Sequence, residues 1–179
     1  MLAATYDVVY SFLLNGAIYV DYRRYPSPDK PSLIFETVAL GRYVSVAGYR
    51  VLPIAVRHAV PAVGYYVMSP DGAALLYTGD TGAGFLGNAG DIRPGLIITE
   101  VTAPDRLAAS LERPGHLCAG MLKAELPGWR AVKGYIPRVP CIHIHPIHEE
   151  EIRAEIRQVA DDLGADIGLG HEGMVVEVR

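Results

Sequence analysis

Short apolar runs bounded by turn residues fill the first half of the chain, and segments with helical spacing follow in the second. Residues 6–22 read as one or two short strands, TYDVVYSFLL and AIYVDY, ending in RRYPSPDKPS, where three prolines exclude regular structure. Strand signals then come in close succession, RYVSVAG with YRVLPIAVRH and VGYYVMS with AALLYTG. The last two runs are joined by Pro70-Asp71-Gly72, whose residues favour a tight turn, so they predict a hairpin. After the glycine-rich stretch GDTGAGFLGNAGD comes GLIITEVTA. A continuous apolar run between turn residues predicts a strand buried on both faces.

Helix formers dominate residues 105–111 and 116–126, and Pro127 reads as a stop. IPRVPCIHIH returns to strand. Residues 146–163 predict a helix: proline in the first turn, Glu149 to Glu151 at the positive end, and Ile152, Ile156, Val159 and Leu163 on one stripe. Gly164 closes it, and GMVVEVR reads as a terminal strand. A strand-rich first half followed by helix–strand alternation predicts an α/β layered fold, a sheet stacked between helices.

Composition narrows the partners. A chain of 179 residues is one domain on length alone, and such a domain buries roughly 70% of its unfolded surface. The net charge is −4 and no basic run exceeds Arg23-Arg24, so nothing marks a nucleic-acid polymer as partner and small substrates are favoured. The start of the chain has no basic leader region and no apolar span of about 20 residues, which predicts a cytoplasmic protein without a membrane anchor. Cys118 and Cys141 are too few for a disulfide framework and read as reduced core thiols.

The chemistry-bearing positions are His58, Asp80, Glu100, His116, His143 and His145. Asp80 ends a predicted strand between Gly79 and Thr81-Gly82, a setting that fits a metal-bridging carboxylate or an ordinary turn former. His58 precedes a strand and is a ligand or a satisfied polar residue. His143 and His145 lie two apart in a predicted strand and His148 falls in the next turn, so three imidazoles converge at one corner or simply decorate a polar turn. His116 follows Pro114-Gly115 at a predicted helix start, where it contacts an anion or needs no further role. Glu100 is a single charge in an apolar strand, and it orients a ligand histidine or makes an internal hydrogen-bonded pair.

The order of the words HAVPAVGYYV, LLYTGDTG, LIITEVTAPDR, GHLCAGMLKAEL and CIHIHP resembles the metallo-β-lactamase-fold hydrolases, and among them most the class II 3′,5′-cyclic-nucleotide phosphodiesterases. The likeness, extended by NGAIYVDY and the proline-rich loop, covers nearly all of residues 5–179. It implies an αββα sandwich present only in its C-terminal part, as the single domain 1–179. It further implies His58, Asp80 and His143 as ligands of two divalent metal ions, zinc being expected and manganese or iron the alternatives. His116 then donates a proton to the leaving oxygen, Glu100 supports from behind, and His145 faces the substrate where those enzymes tend to carry lysine.

The motif H-x-H-x-D-H, which supplies most metal ligands in that family, does not occur in the sequence. Two protein ligands per ion remain, against three in a catalytic zinc site, so weak or partial occupancy is expected. Three functions compete: a phosphodiesterase of small anionic phosphodiesters (cAMP or cGMP) or a fragment of one; a non-catalytic remnant acting as a binding module; and a tRNA-processing-like or lactone hydrolase. Half of a layered sandwich leaves an apolar face open, which predicts a homo-oligomer or a partner chain.

Overall fold

A computed structural model of the protein describes residues 1–178. Its centre is one seven-stranded mixed sheet in the order β3-β4-β5-β6-β7-β8-β9. The strands are β3 (Val44–Val46), β4 (Tyr49–Ala55), β5 (Val63–Met68), β6 (Ala74–Tyr77), β7 (Leu96–Glu100), β8 (Val139–Ile142) and β9 (Ile167–Leu169). Strands β3 to β6 pair antiparallel, and β6 to β9 parallel. The hairpin expected at Pro70-Asp71-Gly72 joins β5 to β6, with Gly72 at φ +94°. The buried run at 96–100 is β7, a central strand.

Parallel pairing needs crossovers, and these supply the helices. Between β7 and β8 come the short α2 (Ala108–Leu111) and the longer α3 (Ala119–Lys133), and between β8 and β9 comes α4 (Glu149–Leu163). Leu122, Leu126 and Trp129 of α3 and Ile152, Ile156 and Val159 of α4 pack with Tyr66, Leu76, Ile97, Val139 and Cys141 in one core. Both long helices therefore lie on the same face of the sheet. Among the described residues no helix packs extensively on the other face.

Four expectations change. Residues 6–22 are not strands: α1 spans Ala3–Phe12 and the rest is irregular up to the two-residue strands β1 (Pro26–Ser27) and β2 (Lys30–Pro31). No residue of α1 is buried and no sheet edge pairs with it, and a helix satisfies its own backbone where a lone strand cannot. Pro127 does not stop α3, which continues to Lys133. Pro127 and Lys123 are both exposed, so the carbonyl that loses its partner is free to bind water while Leu126 and Trp129 hold the turn to the core. Residues 173–178 form no strand, and Arg179, the end of that prediction, lies outside the described residues. The last strand is instead β9, three residues among glycines that give no period to read. Finally, β8 ends at Ile142, so His143 and His145 do not share a strand face.

Cys118 and Cys141 are free and buried. Burial pushes the Cys118 thiol up to about 11 and the Cys141 thiol up to about 12.

Candidate metal centre

The candidate residues gather at the carboxyl ends of β4, β6, β7 and β8, where strand ends meet loops in an α/β sheet. Asp80 stands three residues beyond β6, after Gly79 at φ +60°. His58 Nε2 lies 3.9 Å from one carboxylate oxygen of Asp80 and His143 Nε2 lies 3.8 Å from the other. These separations are too long for hydrogen bonds. They suit donor atoms that share an ion, one pair on each side of the carboxylate.

The far side of each ring is fixed. His58 Nδ1–H donates to the carbonyl of Gly115 at 3.1 Å. Thr102 Oγ1 donates to Glu100 Oε2, so its one proton is spent and it accepts from His143 Nδ1–H at 2.8 Å. His116 Nδ1–H donates to Glu100 Oε1 at 2.7 Å. Each of the three histidines thus uses Nδ1 for its hydrogen bond and leaves Nε2 to the site, the arrangement of a metal-binding imidazole whose other nitrogen is held by the protein.

Glu100, 1% exposed, is the hub. Besides Thr102 and His116 it accepts from the backbone N–H of Thr81 at 2.7 Å and of Leu117 at 3.2 Å. One buried carboxylate thus ties together the loop after β6, the end of β7 and the segment before α3. Glu100 and His116 form an internal hydrogen-bonded pair. Glu100 is not free to bind an ion, since both oxygens are saturated.

Two glycines allow this closeness. A Cβ on Gly115, which sits at φ +78°, would lie 2.6 Å from the carbonyl oxygen of Arg57 and 2.8 Å from His58 Cα. A Cβ on Gly82 would lie 3.2 Å from Gly115 Cα. Both segments also bind the end of β4 directly: Gly82 N–H donates to Arg57 O at 2.7 Å and Ala59 N–H to Pro114 O at 2.9 Å. Behind them, Glu125 of α3 accepts from the N–H groups of Gly84 and Leu86 and pins the loop that follows Asp80; burial pushes its carboxyl above the usual range.

His143 adopts φ +58°, a left-handed conformation uncommon outside glycine, and this turns its ring out of the strand and over His116, with centroids 5.4 Å apart. His58 meets His116 edge-on at 4.9 Å. His145 goes elsewhere. It is exposed and lies against His148 at 5.3 Å, so the three imidazoles of the CIHIHP corner do not converge. His116 belongs to the segment before α3 rather than to the helix start. Sequence reading missed Thr102 and the Gly115 carbonyl; the only signals were the second threonine of TEVT, on the Glu100 side of the strand, and the Pro-Gly before His116.

His58, Asp80 and His116 offer ligand atoms all within 4.8 Å of one another; Glu100, His116 and His143 are as close together, but as the hydrogen-bonded cluster around the saturated Glu100 carboxylate. The donor set of imidazole nitrogens around one carboxylate fits zinc or a similar borderline ion.

Comparison with solved structures decides the fold. The chain superposes with TM-score 0.62 on the metallo-β-lactamase fold protein YhfI of Bacillus subtilis, at 10% identity, over 78% of this chain and 52% of that one. The fold is that of the metallo-β-lactamases. Similar matches at 15–16% identity are the short form of human tRNase Z (TM-score 0.52, 76% of this chain and 46% of that one) and a diphosphatase of the PhnP family (0.53, 78% and 46%). No protein-family model matches the chain. No curated protein matches it by sequence. The chain spans about half the length of these metallo-β-lactamase-fold structures, so it holds part of that αββα sandwich. None of its helices among the described residues is long and apolar enough to cross a membrane.

Proposed function

We propose that this chain carries the His58, Asp80 and His143 part of a metal-dependent phosphodiester hydrolase, with a small anionic phosphodiester, and most specifically a 3′,5′-cyclic nucleotide, as substrate. The observation that carries the reading is the placement of His58 and His143 Nε2 opposite the two oxygens of Asp80, each ring locked by its Nδ1. A divalent metal held there by His58, Asp80 and His143, zinc by its donor chemistry, would supply a water of lowered pKa and neutralise phosphoryl charge. Asp80 holds its two oxygens apart toward the two histidines. His116, fixed by Glu100, presents its Nε2 to the same space and, when protonated, gives a proton to the leaving oxygen. The narrower choice of cyclic nucleotides rests on the resemblance of the GDTG, TEVT and CIHIHP words, and a small substrate suits a chain without a basic patch.

The test is hydrolysis of cyclic AMP, cyclic GMP and bis(p-nitrophenyl) phosphate by the purified protein with added zinc or manganese, against a chelator control. Metal-dependent turnover of any one supports the phosphodiesterase reading, and turnover of the cyclic nucleotides its narrower form. No turnover in the presence of bound metal contradicts it.

A second reading has its own support. Each ion would have two of these three residues as ligands, fewer than the three protein ligands of a catalytic zinc. The chain is then a binding module that retains the fold and a weak metal site without turnover. Metal binding without hydrolysis distinguishes it.

A further inference from the structure

The metal centre opens on its His58 side into a cavity of about 330 Å³. His58 and Asp80 lie at one end of it. The rest of the lining is mainly apolar: Leu2 at the start of α1, Val60 and Pro61 from the loop after β4, and Val63 and Tyr65 of β5. Small-molecule sites are mostly apolar concavities of about 300–1,000 Å³ with a few polar groups at one end, so this one has the size for a single ring system and not for a polymer. Its walls are set before anything binds. Pro61 has a fixed φ and stiffens its loop, and Val63 and Tyr65 are held by ladder pairing with Ala55 and Pro53. No residue of α1 is buried, yet its start is tied down: Val38 N–H donates to the Met1 carbonyl at 2.9 Å and Tyr6 meets Phe35 edge-on at 5.3 Å. Val60, 61% exposed, is an apolar side chain that the chain itself leaves uncovered at the rim.

Charge decides what enters. Among the described residues no lysine or arginine lines the cavity, and the Asp80 carboxylate stands at its end, so an anionic group is repelled. An uncharged, flat, apolar group is what fits, and the ring of Tyr65 favours an aromatic one. We propose that this cavity is a binding site for an uncharged aromatic ring, with α1 and the Val60-Pro61 loop as its specificity-determining walls. A nucleobase and an aryl group share that chemistry. On the phosphodiesterase reading the ring belongs to the ester, the phosphoryl group stays at the metal, and these walls decide which ester the centre accepts. That the ring is part of an ester rests on that reading; that the cavity takes a ring does not.

Titration of 4-fluorobenzyl alcohol with the metal-free protein, followed by fluorine nuclear magnetic resonance, tests the site without turnover. Saturable binding is expected, at least about 3-fold weaker in Leu2→Asn and in Val60→Asn, which remove apolar contact and add no charge beside Asp80. Val132→Asn on α3, 75% exposed and outside the cavity, should leave it unchanged. Displacement of the probe by adenosine at lower concentration than by benzyl alcohol makes the ring a nucleobase, and the reverse order makes it an aryl group. With zinc added, phenylphosphonate should bind at least about 3-fold tighter than methylphosphonate, and the preference should shrink in Val60→Asn. If the variants do not fold, nuclear Overhauser effects between the ring protons of the probe and the methyl groups of Leu2, Val60 and Val63 in the unaltered protein replace them. No binding of the alcohol, binding that both substitutions leave unchanged, ring protons without contact to those methyl groups, or equal affinity for the two phosphonates overturns the proposal. Ring binding that maps to Val60, with neither phosphonate bound in the presence of zinc, upholds the site and contradicts the phosphodiesterase reading instead.

Discussion

His116 Nδ1 lies 2.7 Å from Glu100 Oε1, and Glu100 is sealed from solvent. The pair fixes which nitrogen of His116 faces the metal centre. In Glu100→Gln one oxygen becomes an NH2 group facing N–H and O–H donors, and a buried donor left without an acceptor costs about 1–3 kcal/mol. On the proposed phosphodiesterase reading, hydrolysis should fall by about 10–100-fold. Metal bound through Asp80 should remain. Kinetics alongside metal analysis check this; loss of metal together with activity would instead give Glu100 a purely architectural role.

Gly115 is the tightest joint of the site. In Gly115→Ala the new Cβ meets the Arg57 carbonyl and the His58 backbone while φ stays left-handed, so the loop must move and carry the His58 anchor with it. Urea unfolding should show a loss of at least about 2 kcal/mol together with weakened metal binding. Gly173 provides the comparison, since it has a similar φ of +76° with nothing within 4 Å of its would-be Cβ. Gly173→Ala should cost only about 1 kcal/mol, the conformational term alone, and leave metal binding unchanged.

The buried thiols make stability depend on alkaline pH. Folding raises Cys118 to about 11 and Cys141 to about 12 from an ordinary 9.0, so above pH 9 the unfolded chain releases protons that the folded chain keeps. Stability is then full below pH 9 and falls as pH rises toward those values, by about 1 kcal/mol per thiol at pH 10. Urea unfolding under reducing conditions at pH 8 and pH 10 measures the fall, and it should be smaller by about 2 kcal/mol in the Cys118→Ala, Cys141→Ala protein. Ellman's reagent should find neither thiol promptly reactive in the folded chain.

Where the sequence was legible, local rules and tertiary packing agreed. β5, β6 and α4 announce themselves because each has a two-residue or helical period bounded by turn residues and buries the stripe that the period predicts, and β7 because its continuous apolar run is buried on both faces. The amino-terminal segment misled because Val8, Val9 and Tyr10 favour strands while the fold offers them no edge to pair with. Pro127 misled for the opposite reason: a helix tolerates proline where the orphaned carbonyl faces water. In the site, the strand ends bearing Asp80 and His143 were readable from glycine and histidine spacing. The left-handed turn at His143, which separates it from His145, is set by the surrounding packing and has no signal in CIHIHP. Thr102 and the Gly115 carbonyl act through hydrogen bonds across 41 and 57 residues of chain, a distance over which a single sequence carries no register.

In the proposed reading, Asp80 joins the His58 and His143 sides of one metal centre. Equilibrium dialysis of the purified chain against zinc, read as metal bound per chain over a range of free-ion concentrations, tests it most directly with Asp80→Ala, His58→Ala and His145→Ala beside the wild type. We expect weak saturable binding by the wild type, abolished by Asp80→Ala, reduced by His58→Ala and unchanged by His145→Ala, whose ring lies against His148. Binding that survives Asp80→Ala undiminished, or a wild type that binds no metal even at millimolar zinc, would contradict it.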